Sequence, residues 1–147
     1  SDVCSSDLFI LDKLQLLIER KLIKGIGENG TEYTVIAQIL DLPKEILRLI
    51  QKFDFTKKNP KLIYINTGET MISLQDSILV TFLNLAGFDI LFFVPTGYQS
   101  VENYFAEKLM EEHQIGEYKY DMQVPDLNNI STNSTRPSWR RKLFRRG

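Results

Sequence analysis

Two short runs in the chain are apolar almost without a break, and the stretch between them has a different period. Leu62 to Ile65 has β-branched or aromatic residues at three of four positions, and Phe88 to Val94 is apolar at six of seven. Between them, Ser73 to Leu85 returns apolar residues at helical spacing. The pattern predicts strand, helix, strand: a βαβ unit with adjacent parallel strands and a right-handed crossover. Runs this apolar predict strands covered on both faces. The Asn66-Thr67-Gly68 and Pro95-Thr96-Gly97 turns then follow the carboxyl ends of both strands, on the rim where open α/β sheets bind ligands.

The N-terminal third reads as helical. Leu11, Leu14, Leu17, Ile18 and Leu22 recur at three- and four-residue steps within Phe9 to Lys24, with Glu19, Arg20, Lys21 and Lys24 on the wet side. Gly25 to Gly30 breaks that helix. Its three glycines lack a Gly-Lys-Ser/Thr ending and a preceding strand, so a plain turn is the reading. Thr34 to Leu40 predicts a second helix, ended by Asp41-Leu42 before Pro43. Pro43 suits the first turn of a third, Lys44 to Phe53, with Ile46, Leu47, Ile50 and Phe53 as its apolar stripe. A DNA-reading helix-turn-helix is disfavoured, because Lys44, Arg48 and Lys52 form a thin basic face that Asp41 and Glu45 interrupt. These are read as structural helices.

The organisation that follows is a helical unit over 9–54, a polar connection near 54–60, and an α/β unit over 61–124. Within the latter, Ser73 and Asp76 predict a helix cap, and Gly87 marks that helix's end. Ser100 is read as capping a further helix carrying Val101, Tyr104, Phe105 and Leu109. Tyr118 and Tyr120 alternate with charged residues as in a short edge strand. From Pro125 the composition turns polar, and 125–147 is read as a flexible basic tail. The fold class is thus α/β: an N-terminal helical unit, then a Rossmann-like βαβ unit with a small parallel sheet, then a disordered tail.

Composition adds three things. With 43% hydrophobic and 25% charged residues, the 147-residue chain has the make-up of a soluble globular protein with one ordinary core. No apolar run approaches the ~20 residues needed to cross a bilayer, and a cytoplasmic location is the expectation. The first eight residues, Ser1 to Leu8, back-translate to the end of a widely used short-read sequencing adapter. They are read as an artefact to exclude from fold reasoning, which removes Cys4 as a native thiol and makes the chain the C-terminal piece of a longer protein.

Candidate chemistry sits at the rim. The first turn offers Asn66, Thr67, Gly68 and Glu69; the second offers Thr96, Gly97 and Tyr98. Thr-Gly after a strand lets backbone N–H groups approach a phosphate or carboxylate. The same residues also make good plain turns, so the pair locates a ligand site without a reaction type. Catalytic residues are not assignable, and neither is a cofactor. The one histidine, His113, lies beside Glu111 and Glu112 and reads as a solvated side chain, and no ligand spacing for a metal is present. The last twelve residues hold six cations and no acid against a formal −1 for the whole chain, leaving −7 before them. Trp139, Arg140, Arg141, Lys142, Arg145 and Arg146 are the candidate contacts to an anionic membrane surface or an acidic partner. Nucleic acid is the weaker fit, because the remainder of the chain is acidic.

The residues Phe88-Asp-Ile-Leu-Phe-Phe-Val-Pro-Thr-Gly-Tyr98, Val101-Glu-Asn-Tyr-Phe105, and His113-Gln-Ile-Gly-Glu117 with Asp126-Leu127 resemble the C-terminal part of the YceG-like family of bacilli. Members of that family are much longer and are labelled components of a "biosynthetic module". (An unrelated cell-wall transglycosylase shares the name and is not what this resembles.) The resemblance covers Phe9 to the end. It implies a tellurium-resistance-type stress locus, other proteins of that locus as partners, and no catalytic residues to carry over. The functional expectation is a C-terminal α/β region contributing to a small anionic or nucleotide-like ligand site. The alternative is a non-catalytic adaptor docking through its tail.

Overall fold

The computed structural model describes residues 5–126. In order, these form α1 (Ser5–Glu19), α2 (Thr31–Leu40), α3 (Lys44–Lys52), β1 (Lys61–Ile65), α4 (Leu74–Leu85) and β2 (Asp89–Phe93). The two strands pair in parallel, in the register Lys61 with Asp89 through Ile65 with Phe93. The expected βαβ unit is therefore present, and the fold is a mix of helices with a small parallel sheet. Among the described residues no helix is long and apolar enough to cross a membrane.

Helix α4 is the centre of the core. Ser73 caps it, its hydroxyl accepting the Asp76 N–H at 3.0 Å. Gly87 ends it at φ +105°, where a Cβ would press on the Phe55 ring at 3.0 Å. Ile78, Phe82 and Leu83 are fully buried, and α1, α2 and β2 all pack on this helix. Leu17 of α1 and Val35 and Ile39 of α2 join the same cluster. The core of the helical third is thus continuous with that of the βαβ unit. Phe55 links them again, its ring 5.9 Å from Phe9 and 6.1 Å from Phe88.

Four local expectations differ from the structure. First, α1 stops at Glu19 rather than Lys24, because the next residues pair across the fold. Lys24 N–H donates to Tyr104 O and Ala106 N–H to Leu22 O, both at 2.9 Å, around an antiparallel bridge between Ile23 and Phe105. Second, the same bridge holds Val101–Phe105 out of a helix. Ser100 is not free to cap one, since its side chain is buried and committed elsewhere. Third, Tyr118 and Tyr120 lie in irregular chain, not an edge strand; Lys119 makes one backbone bond, to Pro95 O at 2.8 Å.

The fourth difference concerns the sheet. Leu62, Tyr64, Ile90 and Phe92 pack toward the core on one face, but Ile63, Ile65, Leu91 and Phe93 on the other are exposed. On the covered face, Tyr64 stacks at 5.3 Å on Phe92 and donates its hydroxyl to Asp76 Oδ2 at 3.3 Å. Burial, and then the Asp76 carboxylate by its charge and hydrogen bond, raises the Tyr64 phenol above its ordinary 10.0. The stability this contributes is fully present below pH 10 and is lost as pH rises through the raised value. Thermal melts from about pH 9 to 11 should show this loss in the wild type, and a flatter profile in Tyr64→Phe.

Candidate functional site

Both rim turns leave the same end of the parallel pair, and Asn66 ties them together. Its backbone N–H donates to Phe93 O at 2.9 Å, carrying the ladder one residue beyond β1. Its Oδ1 accepts the Gly68 N–H at 3.2 Å, folding the turn back on the side chain as an Asx turn. Its Nδ2 donates to Thr70 O and to Ser100 Oγ, each at 2.8 Å. Ser100 is fully buried, and its carbonyl accepts the Ile72 N–H at 2.9 Å. The loop after β1 is therefore latched to the loop after β2 from both sides of Ser100.

This latch assigns Asn66 a positioning role and leaves the donors of the first turn open. Among the described residues, the backbone N–H groups of Thr67, Glu69 and Thr70 and the Thr67 hydroxyl have no hydrogen-bond partner. Thr67 and Gly68 are half-buried, while Glu69 stands exposed beside them. The N-cap of α4, Ser73, follows three residues after Thr70, so the positive end of that helix dipole is close in the chain.

The second turn is arranged differently. Thr96 is buried, and its Oγ1 accepts the Tyr98 N–H at 3.3 Å, so its hydroxyl shapes the turn. The Gly97 N–H donates to Val94 O at 3.0 Å. Gly97 has φ +67°, and the space its Cβ would fill is taken by the Tyr118 ring. Glycine is needed there both for the backbone and for the ring against it. The 118–119 segment lies over this turn, and Tyr98 remains partly exposed at its flank. At the first turn the Gly68 N–H is engaged by Asn66 while Glu69 is exposed, whereas Thr96 and Gly97 are engaged within the second.

Elsewhere the chain offers less. The glycine loop at 25–30 holds its own anion: Gly27 N–H donates to Glu32 Oε2 at 3.0 Å, and this bond lowers the Glu32 carboxyl below its usual range. That agrees with a plain turn rather than a phosphate loop. An open hollow of about 420 Å³ beside α3 is lined by Glu45, Arg48, Leu49, Lys52 and Phe53, none of them a rim residue. His113 is exposed, with Nε2 3.6 Å from Glu111 Oε2. Among the described residues no group of three or more His, Cys, Asp or Glu is placed to hold a metal. The tail candidates Trp139, Arg140, Arg141, Lys142, Arg145 and Arg146 lie outside the described residues, as does Cys4.

The family model for the YceG domain matches residues 2–135, which takes in every described residue. The chain belongs to the YceG domain family. A relative, the uncharacterized protein YceG of Bacillus subtilis (strain 168), is 31% identical over 93 residues. That match covers 61% of this chain and 17% of the relative, so the chain spans well under a third of the relative's length. No solved structure matches. The YceG match includes both rim turns and the Asn66–Ser100 latch.

The contacts that organise this rim involve Asn66, Ser100 and Tyr118, and the sequence signals only part of them. An Asn directly before Thr-Gly is a readable Asx-turn signal. The local signals at Ser100 and Tyr118 point to a cap and an edge strand, because their actual partners lie 34 and 21 positions away in the chain.

Proposed function

We propose that this chain supplies one rim of a binding site for a small, phosphate-bearing, nucleotide-like ligand, within a cytoplasmic YceG protein of a stress-resistance biosynthetic module. The observation that carries the reading is the first turn, with three backbone N–H groups and the Thr67 hydroxyl unpartnered among the described residues, on a loop held by Asn66. Preorganised donors of this kind suit phosphate oxygens, and the α4 dipole adds to them. Glu69 is an acceptor beside the donors, which favours a ligand carrying hydroxyls, such as a ribose, over a bare anion. The parallel pair is then one unit of a Rossmann-like sheet, with the ligand outside its carboxyl ends. The tellurium-resistance-type setting rests on the family resemblance of Phe88–Tyr98 and the segments after it.

Thr67→Val tests this more cleanly than Thr96→Val, because the Thr96 hydroxyl holds its own turn. Thermal shifts should be recorded for a panel of nucleotides and phosphometabolites. A ligand that raises Tm should bind Thr67→Val roughly threefold to tenfold more weakly, the worth of one hydrogen bond. No shift with any compound, or one that Thr67→Val leaves unchanged, removes the rim site.

The tail supports a second reading. Six cations without an acid in twelve residues fit an adaptor that docks on an acidic partner or an anionic membrane surface. Deleting Arg136–Gly147 should leave Tm nearly unchanged and abolish salt-sensitive binding to anionic liposomes. If liposome binding at low salt survives the deletion, the adaptor reading loses its support.

A further inference from the structure

The sheet in this structure has one covered face and one bare one. Ile63, Ile65, Leu91 and Phe93 form the bare face, at 57%, 40%, 50% and 41% exposure, and the Lys61–Asp89 ion pair closes its amino end. Among the described residues each strand also keeps one outer edge without a partner strand, since the sheet they form is two-stranded. Both features are foreign to finished folds. Parallel strands occur almost only with both faces covered, and two-stranded sheets are marginal by themselves. An unpaired edge beside four large apolar side chains is a template for another strand.

We infer that this face and these edges are an interface for further βα units from the rest of a family-length YceG polypeptide. Two observations select that occupant. The 93 matched residues are 17% of the Bacillus subtilis relative, so most of a family-length chain lies outside the match. A new parallel strand also arrives through a crossover helix, so one βα unit extends the edge and covers the face together. A second copy is a poorer occupant. The four side chains expose about 400 Å² together, roughly half of what one partner contributes to a standard interface. A segment of the same polypeptide does not meet the entropy cost of association that sets this threshold.

Hydrogen exchange and thermal melts on two intact proteins test this: the present chain and the full-length Bacillus subtilis relative. In the relative, outer-edge amides of the equivalent strands should exchange at least about tenfold more slowly than Lys61–Ile65 and Asp89–Phe93 do here. Leu91→Asp should leave the Tm of this chain within about 2 °C, while the equivalent substitution in the relative lowers Tm by about 5 °C or more. Equal exchange in the two proteins, or an aspartate harmless in both, overturns the inference. So does a dimer of this chain that Leu91→Asp dissociates, which assigns the face to a second copy. Edge protection in this chain that disappears on deleting Arg136–Gly147 also overturns it, assigning the face to the chain's own tail.

Discussion

Phe82→Ala should destabilise the protein by about 3–5 kcal/mol, the range for a large aromatic removed from a packed core. Phe82 is fully buried on α4, the helix on which α1, α2 and β2 all pack. A hole there loosens the helical third and the βαβ unit at once, because the two share one apolar cluster. In a domain of this size that cost corresponds to a Tm lower by roughly 10–15 °C. Circular dichroism melts of the wild type and Phe82→Ala measure it. A drop under about 1 kcal/mol would mean that the core is not centred on α4.

Asn66→Ala carries the next largest effect, and it acts on the site as well as on stability. Three side-chain hydrogen bonds disappear together: those to Gly68 N–H, Thr70 O and Ser100 Oγ. Ser100 is fully buried, so its hydroxyl loses a partner that water cannot readily replace. The expected cost is about 2 kcal/mol, more than that of one exposed hydrogen bond. Asn66→Asp separates the parts of the latch, since it keeps the acceptor for Gly68 N–H and removes both donated bonds. Hydrogen exchange should speed up at Gly68 and Ile72 in Asn66→Ala and mainly at Ile72 in Asn66→Asp. If Asn66→Ala melts like the wild type, the two rim loops are held by something other than this side chain.

Much of the framework was legible because it is local. Ser73 with Asp76, the apolar period of 73–85 and Gly87 specify α4 within fifteen residues, and the structure has the helix there. The two apolar runs likewise specify a strand each, and the short distance between them leaves a parallel crossover. What failed was decided over long distances. Leu22–Lys24 and Val101–Phe105 each read as helix, yet Ile23 and Phe105 pair across 82 positions and hold both segments in non-helical chain. Ser100 looked like a cap because its partner, Asn66, is invisible to any local window. The bare sheet face follows the same logic. The apolar positions of Ile63, Ile65, Leu91 and Phe93 signal burial, but no described residue covers them. At the rim, the Thr-Gly turns are legible as turns, whereas the engagement of the Gly68 N–H by Asn66 and of the Tyr98 N–H by Thr96 depends on the exact turn geometry.

Binding of a phosphate-bearing ligand by the first turn and its latched neighbour would register directly in the amide chemical shifts of that turn. The protein should be labelled with ¹⁵N and titrated with ATP and with inorganic pyrophosphate, in low and in moderate salt. Saturable shifts should centre on Thr67, Gly68, Glu69 and Thr70, with smaller ones at Thr96–Tyr98, and both sets should persist in moderate salt. Shifts confined to Arg136–Gly147 that vanish with salt, or no saturable shift at Thr67–Thr70, would contradict binding at the rim.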